Sequence, residues 1–165
     1  MHYGTIKNLD IADGPGCRVS LFVSGCRNHC KGCFQPETWS FDYGQEFTDE
    51  TLEELLTMLE NPHIAGLSIL GGDPFEPENR DVVLGICYAV RERFPDGSKT
   101  IWMWTGYMWE DLRHEVVMDY IDVLVDGPFV EELRDLTLAY KGSRNQRVIN
   151  VSASRNGNEI ILYGD

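Results

Sequence analysis

Gly66-Leu67-Ser68-Ile69-Leu70-Gly71-Gly72-Asp73-Pro74, followed by residues 79–94 and then Thr100-Ile101-Trp102-Met103-Trp104-Thr105-Gly106, reads as one strand–helix–strand unit. Residues 66–70 make a short buried strand that stops at a glycine pair and Asp-Pro, a good turn sequence. In 79–94 the residues Val82, Val83, Ile86, Val90 and Phe94 fall on one helical face. Residues 100–104 form the next strand, closed by Thr105-Gly106. Such a unit predicts parallel pairing, because the crossover helix carries the chain back to the starting end of the sheet.

The same alternation extends in both directions. Residues 18–24 (Arg-Val-Ser-Leu-Phe-Val-Ser) are β-prone and alternate, and a cysteine-rich loop follows to about residue 44. Thr48 is placed to cap a helix with Leu52, Leu55, Leu56 and Leu59 on one face. Residues 109–118 are expected to be helical. Residues 123–125 are expected to be a strand ending in Asp126-Gly127-Pro128, and 147–151 a further strand. Asn156-Gly157, between 148–152 and 159–163, predicts a closing C-terminal β-hairpin. No repeat or linker interrupts the pattern, so one domain over 1–165 is expected. The predicted class is α/β: a partial (β/α) barrel with a mostly parallel sheet, since 165 residues are too few for eight units. Cys26, Gly71, Thr105 and Asp126 each follow a strand, where ligands sit in parallel β/α folds.

Composition narrows the class of function. Hydrophobic residues are 42% and charged residues 25%, enough to build a core. The formal net charge of -13 excludes a nucleic-acid binder, which needs basic patches, but not a cationic or protein partner. The longest apolar run, near 82–90, is too short to span a bilayer, and Met1-His2-Tyr3-Gly4 lacks the pattern of a signal peptide. A cytoplasmic protein without membrane contact is the expectation. Trp102, Trp104 and Trp109 are read as core, and the acidic run Asp49, Glu50, Glu53 and Glu54 as a solvated helix start.

Of five cysteines, Cys26, Cys30 and Cys33 crowd one loop in the pattern C-x3-C-x2-C. An odd count with such clustering suits a reduced compartment and a metal or redox centre better than a disulfide scaffold. Thiolates this close can wrap a 4Fe–4S cluster, which usually takes four. Cys17 and Cys87 read as small, buried or semi-buried thiols, and if neither reaches the loop, one iron is left open to a non-protein ligand. Two alternatives stand beside this one. A zinc site could use the three cysteines with His29, and Cys30 with Cys33 could form a redox pair, which leaves Cys26 unexplained.

This cysteine spacing, on a loop after the first strand, resembles the radical S-adenosylmethionine (SAM) superfamily. Gly32 before the last cysteine and Phe34-Gln35 after it resemble the subgroup that activates anaerobic ribonucleotide reductase. Asp13-Gly14-Pro15-Gly16-Cys17-Arg18 is similar to the D-G-P-G-x-R entry of activators of glycyl-radical enzymes. Gly71-Gly72-Asp73-Pro74 resembles the superfamily's G-G-E-P motif, with Asp in place of Glu. Asp126-Gly127-Pro128-Phe129 and Gly142-Ser143-Arg144-Asn145-Gln146-Arg147 resemble segments of the reductase activators, with Lys141 where an Arg often stands.

The resemblance implies a barrel of the radical SAM type. It implies a 4Fe–4S cluster on Cys26, Cys30 and Cys33, with SAM on the fourth iron. Gly71, Gly72, Asp73 and Pro74 would bind the methionyl end of SAM, such that a side chain at Gly72 crowds SAM and leaves the cluster in place. Thr105 would touch SAM, and Asp126 would face the reaction chamber or else cap the helix that follows it. The Gly142 segment is left open between contact with the partner and contact with the SAM carboxylate. The implied reaction is reductive cleavage of SAM, the 5′-deoxyadenosyl radical taking hydrogen from a glycine of the large subunit of an anaerobic ribonucleoside-triphosphate reductase. An external one-electron donor, flavodoxin-like or equivalent, is implied as a second partner. The alternatives are an activase of the formate-lyase type and, in another class, a zinc-stabilised binding module without catalysis.

Overall fold

The computed structural model describes residues 1–157 and 159–164. Its centre is one mixed seven-stranded sheet. In chain order the strands are β1 (His2–Asp10), β2 (Cys17–Val23), β3 (Gln45–Glu46), β4 (Ile64–Gly71), β5 (Thr100–Trp104), β6 (Val123–Asp126) and β7 (Arg147–Asn150). The helices are α1 (Asp49–Leu59), α2 (Pro77–Arg93), α3 (Trp109–Leu112) and α4 (Val151–Arg155). The spatial order is β3-β1-β2-β4-β5-β6-β7. The predicted strand–helix–strand unit is β4, α2 and β5, paired in parallel from Gly66↔Thr100 to Ile69↔Met103.

The mostly parallel partial barrel is not what the chain forms. Only β2, β4, β5 and β6 run parallel to their neighbours in the middle of the sheet. β1 pairs antiparallel with both β2 and β3, and β7 pairs antiparallel with β6. The sheet ends at β3 and β7, which do not pair with each other. The physical reason lies largely in residues 2–10, which carry no run of alternating buried apolar positions. Their nine residues become a strand by pairing along β2, with Tyr3 and Ile6 packed partly against the core.

The closing hairpin is also corrected. Asn150 caps α4 instead, its side chain accepting from Ala153 N–H at 3.2 Å. The chain then returns antiparallel to β7 by a single bridge, Ile149↔Leu162, with Tyr163 N–H donating to Val148 O at 2.8 Å. Asn158, inside the expected turn, lies outside the described residues. The helix expected over 109–118 is split into α3 and a 3-10 turn at Val116–Asp119.

The sheet's two faces do different work. On one, Val19, Leu21, Leu67, Ile69, Ile101 and Met103 pack against Leu55 and Leu59 of α1 and Val83, Ile86 and Val90 of α2. The alternate positions Arg18, Ser20, Phe22, Ser68, Leu70, Trp102 and Trp104 point the other way. Arg18 is fully buried there, donating to Ser68 Oγ at 2.7 Å, Thr100 Oγ1 at 2.9 Å, Leu67 O at 2.8 Å and Thr100 O at 2.9 Å. No helix among the described residues is long and apolar enough to cross a membrane.

Candidate functional site

The loop after β2 is shaped by backbone bonds to the turn at 36–39. Gly25 N–H donates to Thr38 O at 2.7 Å, Cys26 N–H to Trp39 O at 3.2 Å, and Cys33 N–H to Cys30 O at 3.1 Å. His29 at φ 44° reverses the chain between Cys26 and Cys30, and its ring stacks on Trp39 with centroids 4.4 Å apart. The result turns Cys26, Cys30 and Cys33 into one cavity of about 580 Å³. All three are free thiols and half-buried, whereas Cys87 is buried in α2 and Cys17 does not line the cavity.

The thiols meet N–H donors. Gln35 N–H approaches Cys33 Sγ at 3.4 Å. Burial pushes the Cys26 thiol up to about 11, while the N–H groups of Asn28 and His29 pull it back toward the thiolate. Such donors suit sulfur that carries charge, as cluster-bound thiolate does. Among the described residues no group of three His, Cys, Asp or Glu side chains is close enough to hold one metal ion. Thiolates of a cluster each bind a separate iron and need no common point. Three free thiols facing one cavity are the donor type that a 4Fe–4S group takes.

Gly71, Gly72, Asp73, Thr105 and Gly106 line the same cavity, so the ends of β2, β4 and β5 converge as the strand order requires. Two close approaches demand glycine. Gly71 lies at φ +104°, where a Cβ would stand 2.8 Å from Phe22 Cα and Val23 O. A Cβ on Gly72 would stand 2.6 Å from Gly25 O. A side chain at Gly72 therefore meets the cysteine loop's own backbone first.

Asp73 is the hub that ties the loops together. Its buried carboxylate accepts from Thr105 Oγ1 at 2.8 Å, Gly106 N–H at 2.8 Å, Phe75 N–H at 3.0 Å and Asn28 Nδ2 at 3.3 Å. Burial pushes its pKa up to about 6, with those donors opposing the rise. Thr105 lines the cavity, but its hydroxyl is spent on Asp73. Pro74 is buried behind the cavity wall and is not part of its lining.

Asp126 does not face the cavity. It is fully buried, accepts Trp109 N–H at 2.7 Å at the start of α3, and pairs with Arg147. Gly127, next along, lines the cavity in its place. The Gly142 segment acts as a clasp on that loop. Gln146 Oε1 accepts Gly142 N–H at 2.9 Å while its Nε2 donates to Gly127 O at 3.0 Å. Asn145 Nδ2 donates to Pro128 O at 2.8 Å, and Ser143 Oγ accepts Val130 N–H at 3.1 Å.

Sequence reasoning missed several members of the site. Asn28 hides as a spacer between cysteines. Arg27, beside it, reaches the fully buried Glu76 at 2.6 Å and also pairs with Glu78, anchoring the cysteine loop to the start of α2. Tyr140 enters the cavity beside Lys141 from the loop before β7, and of the two only Lys141 was marked, by the Gly142 motif.

A family model described as a 4Fe-4S single cluster domain matches residues 12–149. The anaerobic ribonucleoside-triphosphate reductase-activating protein of Enterobacteria phage T4 is 43% identical over 148 residues, 90% of this chain and 93% of that protein. Its namesake in Vibrio cholerae serotype O1 is 42% identical over 150 residues, 88% of this chain and 96% of that protein. That of Escherichia coli K12 is 41% identical over 152 residues, 90% and 97% respectively. With cysteines, glycine turn and clasp all inside the matched span, the chain belongs to the 4Fe-4S single cluster domain family and, within it, to the anaerobic ribonucleoside-triphosphate reductase-activating proteins.

Proposed function

We propose that this protein activates an anaerobic ribonucleoside-triphosphate reductase by radical SAM chemistry. The observation that carries the reading is the convergence of Cys26, Cys30 and Cys33 with Gly71, Gly72 and Asp73 on one cavity. Cys26, Cys30 and Cys33 would hold the 4Fe–4S cluster, the likeness of the relatives and the family match supporting that group. When bound, the cluster supplies the electron for reductive cleavage of SAM, which yields methionine and a 5′-deoxyadenosyl radical able to take hydrogen from a partner glycine.

The chain's own residues bind, orient and shield. In the Gly71 to Asp73 turn the N–H groups of Gly72 and Asp73 are already given to Val23 O and Gly25 O, at 2.7 and 2.8 Å. The Asp73 carbonyl is likewise taken, by Glu76 N–H at 3.2 Å and Asn79 Nδ2 at 3.0 Å, so within the turn it is the Gly72 carbonyl that would suit the ammonium of a methionyl group. Asp73 and Thr105 position this turn against Gly106 and Asn28, and Asp126 with Arg147 braces the end of β6 from behind. The wide cavity has no lid of its own among the described residues, so the partner's glycine segment would itself exclude water.

The test is anaerobic reconstitution with iron and sulfide, metal analysis, and assay of products from SAM with a one-electron reductant. Iron and sulfide near four per chain, with methionine and 5′-deoxyadenosine formed in equal amounts, is the expected result. One zinc without sulfide, or an iron protein that leaves SAM intact, would overturn the reading.

A further inference from the structure

Resting on that reading's cluster, we propose that Trp39 tunes it: the indole Nε1–H donates to a sulfur of the bound 4Fe–4S group and raises its reduction potential. The first observation is an orphaned donor. Among the described residues, the buried side-chain polar atoms without a hydrogen-bond partner are Trp39 Nε1, Asp10 Oδ2 and Ser20 Oγ. Asp10 and Ser20 lie on the paired strands β1 and β2. Trp39 instead ends the turn at 36–39 and lines the cavity that holds Cys26, Cys30 and Cys33. A buried N–H with no acceptor in the protein calls for one from elsewhere.

The second observation is that the turn carrying Trp39 is already bonded to the cysteine loop. Trp39 O accepts Cys26 N–H at 3.2 Å, and Gln35 N–H approaches Cys33 Sγ at 3.4 Å. Thr38 Oγ1 donates to Gln35 O at 2.7 Å and holds the turn closed. The His29 ring stacks on the indole with centroids 4.4 Å apart and planes 14° from parallel. A stacked ring covers the indole's face, whereas the N–H points out along its edge, so His29 fixes the indole without serving its donor. Trp104 also lines the cavity, but its Nε1 is given to Tyr140 O at 2.7 Å. Trp39 thus supplies an indole N–H on the cavity wall that the protein itself leaves free.

The chemistry of the donor names its acceptor. An indole N–H donates only, and hydrogen bonds to charged acceptors are the strong ones. Thiolate and sulfide sulfur are the charged acceptors that a cluster on Cys26, Cys30 and Cys33 would bring to this wall. One-electron reduction adds negative charge to the cluster and its thiolates, so a donor held against them stabilises the reduced form more than the oxidised one.

The test is an anaerobic redox titration of the cluster-loaded protein without SAM, read by the electron paramagnetic resonance of the reduced cluster. Wild type, Trp39→Phe and Trp104→Phe are compared. Phenylalanine keeps a ring to stack on His29 and removes the N–H. The proposal expects Trp39→Phe to hold about tenfold less reduced cluster at a given potential, a midpoint lowered by about 59 mV for a one-electron couple. Trp104→Phe should titrate with wild type. A second readout needs no change at Trp39. With indole nitrogen-15 tryptophan, electron–nuclear double resonance of the reduced cluster should show a nitrogen-15 coupling in wild type and in Trp104→Phe. An unchanged midpoint in a Trp39→Phe protein with full iron and sulfide would overturn the proposal. So would an equal shift in Trp104→Phe, since ring volume rather than the N–H would then be the cause. If Trp39→Phe fails to assemble its cluster, absence of the nitrogen-15 coupling from labelled wild type overturns the proposal and its presence in labelled Trp104→Phe supports it. A wild-type protein that takes up no iron and sulfide would instead refute the cluster reading itself.

Discussion

Gly72→Ala tests how closely the cysteine loop and the turn after β4 are packed. The new Cβ would lie 2.6 Å from Gly25 O, 3.0 Å from Gly25 N and 3.0 Å from Thr38 O, all backbone atoms. Ordinary contact begins near 3.4 Å, so Gly25 must retreat by about 0.8 Å. The same atoms carry two hydrogen bonds, Asp73 N–H to Gly25 O at 2.8 Å and Gly25 N–H to Thr38 O at 2.7 Å. Overpacking costs roughly 1–3 kcal/mol and each strained bond up to about 1 kcal/mol. The expected loss is about 2–4 kcal/mol. Urea unfolding of the metal-free protein reads it by linear extrapolation, and iron content after reconstitution should fall with it. Gly85→Ala is the internal control. Gly85 sits in α2 with no atom near its missing Cβ, so alanine there should raise stability by about 0.5–1 kcal/mol. A Gly72→Ala protein within about 0.5 kcal/mol of wild type and with full iron content would refute the packing argument.

Cys26→Ala, Cys30→Ala and Cys33→Ala should each lose cluster iron and sulfide, while Cys17→Ala and Cys87→Ala keep them. Full cluster content in Cys30→Ala, or its loss in a folded Cys87→Ala, would contradict the ligand set. Burial and the neighbouring Asp10 carboxyl push Asp13 up to about 7 from 3.8. Its stabilising contribution is then complete below 3.8 and is lost as pH rises through about 7. The Tm of wild type should accordingly fall relative to Asp13→Asn across that window, and parallel curves for the two would refute the raised pKa of Asp13.

The middle of the fold was legible because its pattern is local. Leu52, Leu55, Leu56 and Leu59 mark α1, and β4, α2 and β5 carry both periodicities and their turn signals. The sheet's sides were not legible. Residues 2–10 pair through their backbone, which leaves no periodic mark in the side chains, and β7 runs antiparallel to β6 because residues 127–146 bring the chain back without a crossover helix. Asn150 shows how turn chemistry misleads. Asn156-Gly157 signals a hairpin, yet the nearer Asn150 caps a helix first. At the site, residue type and spacing singled out the cysteines and glycines that line the cavity. Asp126 looked identical to a cavity-facing acid, and only the position of Trp109 N–H and Arg147 turns it inward. Asn28 and Arg27 were invisible because their partners, Asp73 and Glu76, lie far along the chain.

The central claim is that this protein places a radical on a partner glycine, and electron paramagnetic resonance reads that most directly. The reconstituted protein, SAM, a one-electron reductant and the anaerobic ribonucleoside-triphosphate reductase from the same source are mixed without oxygen. The account predicts a glycyl-type doublet that is absent with Cys30→Ala and absent when the reductase's radical-bearing glycine is replaced by alanine. A reductase that turns over without this protein, or 5′-deoxyadenosine accumulating with no radical on the reductase, would contradict it.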